Sequence, residues 1–130
     1  MAYLQKRGLS ESSIEAISSR LEKAGLLDDQ AFAQFWVENR ERFRPRGLRA
    51  LRYELWSKGI SNDVIKGALA SVDSSASAYR AAGTKARLLR HLDRQAFDRK
   101  LVEYLARRGF DYEVAREVAG RHWEELTTGE

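Results

Sequence analysis

The sequence predicts an all-α protein made of tandem three-helix repeats. Three observations carry that expectation. A short phrase recurs as Leu4-Gln5-Lys6-Arg7-Gly8-Leu9, Leu55-Trp56-Ser57-Lys58-Gly59-Ile60 and Leu105-Ala106-Arg107-Arg108-Gly109-Phe110. Its glycines stand 51 and 50 positions apart, and self-similarity at a fixed period marks a repeated supersecondary unit. The 130 residues hold a single proline, and no strict apolar–polar alternation runs long enough to build a sheet.

The elements follow in order. Ser10 is placed to cap a helix over 11–24, with Ile14, Ile17, Leu21 and Ala24 along one face and Gly25 as its stop. Asp28 or Asp29 caps the next, which reaches Phe43 and turns Phe32, Phe35, Trp36 and Phe43 inward. Arg44-Pro45-Arg46-Gly47 then interrupts the chain, because proline disfavours helix at the residue before it. Leu48, Leu51 and Leu55 mark a third helix stopped by Gly59. Ser61 caps a fourth, with Ile65, Leu69 and Val72 inward. Ser74 to Ser77 offer a cap or hinge before a fifth that carries Tyr79, Ala82, Ala86, Leu89 and Leu92. Gly83 inside it costs about 1 kcal/mol relative to alanine. Asp93 caps a sixth with Phe97, Leu101, Tyr104 and Leu105. Asp111 caps a seventh with Val114, Val118 and Trp123, and residues 127–130 are expected to fray.

The recurring phrase has a physical reading. A base sits against the negative C-terminus of a helix, worth about 0.3–1 kcal/mol. Glycine takes the left-handed turn, and the apolar residue after it folds back onto the helix just left. The expected division is 1–43, a first unit short of its opening helix; 44–92, a basic second unit; and 93–130, a third unit without its closing helix. A repeat array offers a binding surface more readily than a catalytic centre.

Composition narrows the function. Apolar residues make up 43% of the chain, ordinary for a folded domain. It has no cysteine, which suits a reducing cytoplasm and excludes disulfides and thiolate metal sites. No apolar run approaches a membrane span, and the first residues have no signal-peptide core. The formal charge of +4 is unevenly spread: residues 8–39 sum to −4, 40–108 to +10 and 111–130 to −4. A basic middle between acidic ends suits a nucleic acid or an acidic protein face.

Catalytic chemistry finds no footing. His91 and His122 have no ligand-spaced partner. The pairs Asp28-Asp29 and Glu124-Glu125 sit where capping and solvation account for them. No phosphate-binding glycine loop or Ser-His-Asp set is present, so the expectation is a non-enzyme without cofactor or metal. The candidate binding residues are Arg40, Arg42, Arg44, Arg46, Arg49, Arg52 and Lys58 about the proline, with Arg87, Arg90 and Arg94 further on. Arginine forks suit carboxylate and phosphate equally. Trp36, Trp56 and Trp123 are expected to pack between helices, where large aromatics contribute most. A helix-turn-helix reading is open, but the helices after the glycines start Ser61-Asn62-Asp63 and Asp111-Tyr112-Glu113, acidic ends that would meet phosphate badly.

Three segments together resemble a known family. Gly25-Leu26-Leu27-Asp28-Asp29 with Phe32-Ala33 and Trp36-Val37 is the first. Arg44-Pro45-Arg46-Gly47 with Leu51-Arg52, Glu54-Leu55 and Lys58-Gly59-Ile60 is the second, and Leu105 to Phe110 is the third. They are similar to the RecX family of recombination regulators. The resemblance implies a curved, elongated array of three-helix repeats. It implies a cytoplasmic monomer that lodges in the groove of the RecA filament on single-stranded DNA. There it would suppress ATPase and strand exchange without catalysing anything, touching RecA and single- or double-stranded DNA. It also implies that the basic cluster from Arg40 to Lys58 takes part in binding. The alternative from the residues is an autonomous DNA-binding helical module.

Overall fold

The computed structural model describes the backbone of residues 11–128 and the side chains of Arg20 and residues 23–128. Every regular element among them is α-helix: α1 Glu11–Phe43, α2 Leu48–Ser57, α3 Asn62–Leu69, α4 Ser74–Leu89, α5 Arg94–Arg107 and α6 Tyr112–Thr128.

Local chemistry sets most of the boundaries. The Ser61 hydroxyl accepts from Val64 N at 3.4 Å and opens α3. Asp93 accepts from Ala96 N at 2.8 Å and opens α5. At the start of α4 the cap is Asp73, accepting from Ala76 N at 3.1 Å, and not the serine run after it; a carboxylate one residue earlier takes that position. α2 and α5 end alike. Gly59 at φ 81° and Gly109 at φ 89° take the left-handed turn. The next residues, Ile60 and Phe110, donate back to Leu55 O at 3.1 Å and Leu105 O at 3.2 Å. Both are buried, so in its second and third copies the recurring phrase is a glycine-terminated helix end with an apolar clasp.

α1 departs from the expectation. It runs unbroken through Gly25, where a stop was expected, and Asp28 and Asp29 lie exposed on it instead of opening a new helix. A glycine ends a helix when it turns left-handed; held in the helix it costs only about 1 kcal/mol, and nothing else here interrupts the chain. The inward face differs as well. Ala33 and Val37 are buried, whereas Phe32, Phe35 and Phe43 are exposed. Helix contact here is made by small side chains that allow close approach, and Phe32 lies stacked 6.1 Å from Trp36 at the margin. Ala24 is exposed. The expected cap Ser10 and the inward side chains Ile14, Ile17 and Leu21 lie outside the described residues. α6 continues through Thr128, whose hydroxyl bonds Glu124 O at 2.6 Å, past the point where fraying was expected.

Two cores result. Ala33, Val37, Leu51, Leu55, Ile60, Val64, Ile65, Ala68 and Leu69 join the C-terminal part of α1 to α2 and α3. Ala78, Ala82, Ala86, Leu89, Phe97, Leu101, Leu105, Phe110, Ala115, Val118 and Ala119 join α4, α5 and α6. Each fully buried large side chain is worth about 1.5–3 kcal/mol. The expected unit boundaries at 43/44 and 92/93 fall inside these clusters, and the packing divides the helices between α3 and α4 instead. The frame is shifted by one helix because α1 supplies the opening helix that the sequence division assigned to the preceding unit.

Candidate functional site

The two three-helix units meet where the extended Gly47 before α2 lies against the glycine turn at Gly109. Gly47, the residue before α2, donates to Arg108 O at 2.8 Å. A Cβ on Gly47 would stand 2.1 Å from the carbonyl carbon and oxygen of Gly109. A Cβ on Gly109 would stand 2.4 Å from Ala50 Cβ. Only glycine allows backbone to lie on backbone so closely. Arg49 adds a guanidinium bond to Ala106 O at 2.9 Å. On the neighbouring side, Ser77 Oγ and Arg80 both donate to Glu41, tying α4 to the end of α1, with Arg80 at 2.9 Å.

This contact lays the segment 44–47 against the segment 107–110. Between them opens a cleft of about 380 Å³ walled by five arginines, Arg44, Arg46, Arg80, Arg107 and Arg108. Phe43, Pro45, Ala81 and Tyr104 complete the wall, and no carboxylate lines it. Arg108 is held over the Tyr104 ring at 3.9 Å, a cation–π contact that fixes its direction. Guanidinium groups in such a wall offer paired donors that suit phosphate or carboxylate, although Arg46 and Arg80 already lie against Glu54 and Glu41.

The other basic residues singled out from the sequence are spent elsewhere. Arg40 forms a two-pronged pair with Glu54, at 3.2 Å and 2.8 Å. Trp36 Nε1 donates to the same carboxylate at 3.1 Å, and Arg46 Nε lies 3.6 Å from it. Lys58 Nζ and the Arg40 guanidinium both lie over the Trp36 ring, at 4.5 and 5.1 Å. Arg40, Lys58, Glu54 and Trp36 thus lock α1 to α2. Arg42 lies over the Phe43 ring at 5.3 Å. Arg52, Arg87 and Arg90 are exposed away from the cleft wall. Arg94 pairs with Asp98 at 3.4 Å and lines a hollow of about 750 Å³ between α5 and α6. That hollow mixes Arg99 and Arg116 with Glu103, Glu113 and Glu117, so its charges largely cancel.

Of the ten candidates only Arg44 and Arg46 line the cleft. Arg107 and Arg108 were visible in the third copy of the phrase, where a base at a helix end reads as a dipole partner. Arg80 carried no local signal, since only packing brings α4 to this place. Trp123 packs against the second core, while Trp56 is exposed and does not pack as expected. His122 is buried, its ring stacked 4.2 Å from Tyr79 and its Nε2 3.0 Å from Tyr79 O; His91 is exposed. Glu125 accepts from the Tyr79 hydroxyl, and that bond, with burial, raises the phenol pKa above its ordinary value. Among the described residues no group of three or more His, Cys, Asp or Glu is placed to hold a metal ion. No described helix is long and apolar enough to cross a membrane.

Known proteins bear on this arrangement. Residues 28–69 match the family model described as RecX, second three-helix domain, and residues 73–119 match that described as RecX, third three-helix domain. These ranges coincide with the two packed units. A regulatory protein RecX from Chlorobium phaeobacteroides is 42% identical, over 88% of this chain and 76% of the relative. One from Prosthecochloris aestuarii is 39% identical over the same shares. A third, from Mycolicibacterium vanbaalenii, is 40% identical over 90% of this chain and 68% of the relative. No solved structure matches the chain significantly.

Proposed function

Because the chain belongs to the RecX family, we propose that it is a non-enzymatic negative regulator of the RecA recombinase. In this reading it binds the RecA filament on single-stranded DNA and inhibits ATP hydrolysis and strand exchange. It thereby tempers recombination, DNA repair and the SOS response. It acts in the cytoplasm as a monomer and uses no cofactor.

The observation that carries the reading is the cation-walled cleft at the joint of the two units. A filament groove threaded by DNA phosphates presents continuous negative potential, and a concentrated positive cleft is drawn into it. The acidic starts of α3 and α6, with Asp63 and Glu113 in their first turns, disfavour a module that inserts those helices into a DNA groove. Arg40, Arg49 and Lys58 act in this reading chiefly by shaping the surface. Arg44 and Arg46 meet the partner at the cleft, and Arg42, Arg52, Arg87, Arg90 and Arg94 extend the positive field around it.

The test is RecA's ATP hydrolysis on single-stranded DNA, titrated with this protein at two salt concentrations. Inhibition at substoichiometric protein is the expected result. No inhibition, alongside salt-sensitive binding to bare DNA, would overturn it in favour of an autonomous DNA-binding module.

A further inference from the structure

We infer that the Gly59 turn, with Tyr53 and Trp56 on α2, is a docking face for a polypeptide segment on an acidic surface of a partner protein. The face is separate from the basic cleft. It rests on the reading above only in taking RecA as the protein that carries the segment.

The sister turn shows what such a turn holds. Gly59 and Gly109 end their helices with the same backbone hydrogen bonds, but they differ in what covers them. Gly109 is buried. Gly47 N donates to Arg108 O at 2.8 Å and Arg49 to Ala106 O at 2.9 Å, while Ala50 lies against the glycine itself. The matching groups in the other unit are Lys58 O, Trp56 O and Gly59. Gly59 is exposed, and a Cβ there would meet nothing within 4 Å. One helix end thus carries a polypeptide, and its structural twin is open. What the open one offers is suited to a backbone: two carbonyl acceptors at a helix C-terminus, and a glycine over which a small residue can lie.

Two aromatic rings stand beside this turn. Tyr53 is 67% exposed and Trp56 62%, with ring centroids 6.3 Å apart. The fold does not require them, because the third copy of the phrase forms the same turn with Glu103 and Ala106 at the matching positions. Nor do they serve the core, which α2 meets through Leu51 and Leu55. Tryptophan, tyrosine and arginine are the side chains that dominate binding energy when a protein partner covers them.

Charge specifies the partner. Arg52 lies next to Tyr53 and one helical turn from Trp56, exposed and without an ion pair among the described residues. The exposed residues of α2 are Arg49, Arg52, Tyr53, Trp56 and Ser57, with no acid among them. An apolar surface edged with carboxylates complements such a face. A second copy of the same face would set arginine against arginine. A nucleic-acid strand is held along a groove. Arg52, Tyr53 and Trp56 instead project from a helix, and they line neither the cleft at the joint nor the hollow between α5 and α6.

The experiment measures binding of the whole chain to RecA filaments on single-stranded DNA and to the bare strand, alongside RecA's ATP hydrolysis. Trp56→Ala should weaken filament binding by about tenfold or more and leave bare-strand binding within about twofold of the parent. Arg52→Glu should weaken filament binding by about tenfold through charge reversal. Both side chains are exposed, and circular dichroism of each variant separates a lost contact from a lost fold. Parent-like filament binding by folded Trp56→Ala would overturn the docking face and leave the regulatory reading standing. Equal losses on filament and bare strand would overturn it in favour of a nucleic-acid contact. A parent that sediments as a dimer, and as a monomer once Trp56 is Ala, would overturn it in favour of a second copy. Filament binding that Trp56→Ala abolishes, with ATP hydrolysis untouched by the parent, would support the face and sink the regulatory reading alone. A parent that binds no filament would overturn both.

Discussion

Gly47 rests directly on Gly109: a methyl group on the first would lie 2.1 Å from the peptide carbonyl of the second. The two residues are far apart in sequence and close two otherwise separate motifs, Arg-Pro-Arg-Gly and Arg-Arg-Gly-Phe. Their contact brings two basic segments to one cleft. The glycines therefore set how near the arginines of one unit come to those of the next.

Gly47→Ala should open this joint while leaving both cores intact. The added carbon meets backbone, which cannot yield as a flexible side chain would, so a loss of about 1–3 kcal/mol is expected. Denaturant unfolding measures it, and helix content by circular dichroism should hardly change. A variant as stable as the parent would mean that the units are not locked in this contact.

Gly59 and Gly109 have the same turn and the same hydrogen bonds but different surroundings. A Cβ on Gly59 meets nothing within 4 Å, whereas one on Gly109 collides with Ala50. Gly59→Ala should therefore cost only the left-handed strain of about 1–2 kcal/mol. Gly109→Ala should cost that strain plus the collision. Equal losses in parallel denaturation experiments would remove the steric part of the account.

The same contrast shows what the sequence could and could not reveal. Helices α2 to α6 were legible because their limits are local chemistry: Ser61 and Asp93 cap, Gly59 and Gly109 turn, and Leu51, Leu55, Phe97 and Leu101 fall at helical spacing. α1 was misread at Gly25, because glycine's stop depends on a backbone choice that the residue permits but does not dictate. Its inward face is hidden from a reading by side-chain size, because Ala33 and Val37 make the contact while Phe32, Phe35 and Phe43 stay exposed. Arg44 and Arg46 stood out as a cluster, yet their meeting with Arg107 and Arg108 is a tertiary event. Nothing near Arg80 in sequence announces that it joins them.

Glu54 holds together more of the surface than any other acid described here, accepting from Trp36 and Arg40 and lying near Arg46. Its side chain is 17% exposed, so the pair is only partly screened. Glu54→Ala should cost about 1–3 kcal/mol, since two cations and an indole N–H lose one acceptor. Glu54→Gln should recover part of that through the Trp36 bond. A double-mutant cycle with Arg40→Gln should show coupling above about 0.5 kcal/mol; strictly additive losses would reduce the pair to an incidental contact.

Tyr79 gives a pH dependence of known sign. Its pKa is raised because the neutral hydroxyl donates a hydrogen bond to Glu125, with burial second and the Glu125 charge third. A folded-state pKa above the unfolded value means the stabilisation is complete below the ordinary tyrosine range and fades as pH rises through the raised value. Tyr79→Phe should thus be less stable than the parent near neutrality, and the gap should close in strong alkali. Unfolding of both proteins at neutral and at alkaline pH tests this; a gap that widens with pH would contradict the assignment.

Arg49 and Arg52 lie three residues apart on α2, both exposed and both attractive as binding residues, but the structure gives them different work. Arg49 reaches Ala106 O across the joint; Arg52 has no such bond among the described residues. Arg49→Gln should lower stability by about 1 kcal/mol, discounted for exposure from the usual worth of a charged hydrogen bond. Arg52→Gln should stay within about 0.5 kcal/mol. Reversing both charges at once would confound a loosened joint with a lost contact. Only if the two single variants unfold alike is Arg49 as free to meet a partner as Arg52, and the guanidinium strut between the units then contributes nothing.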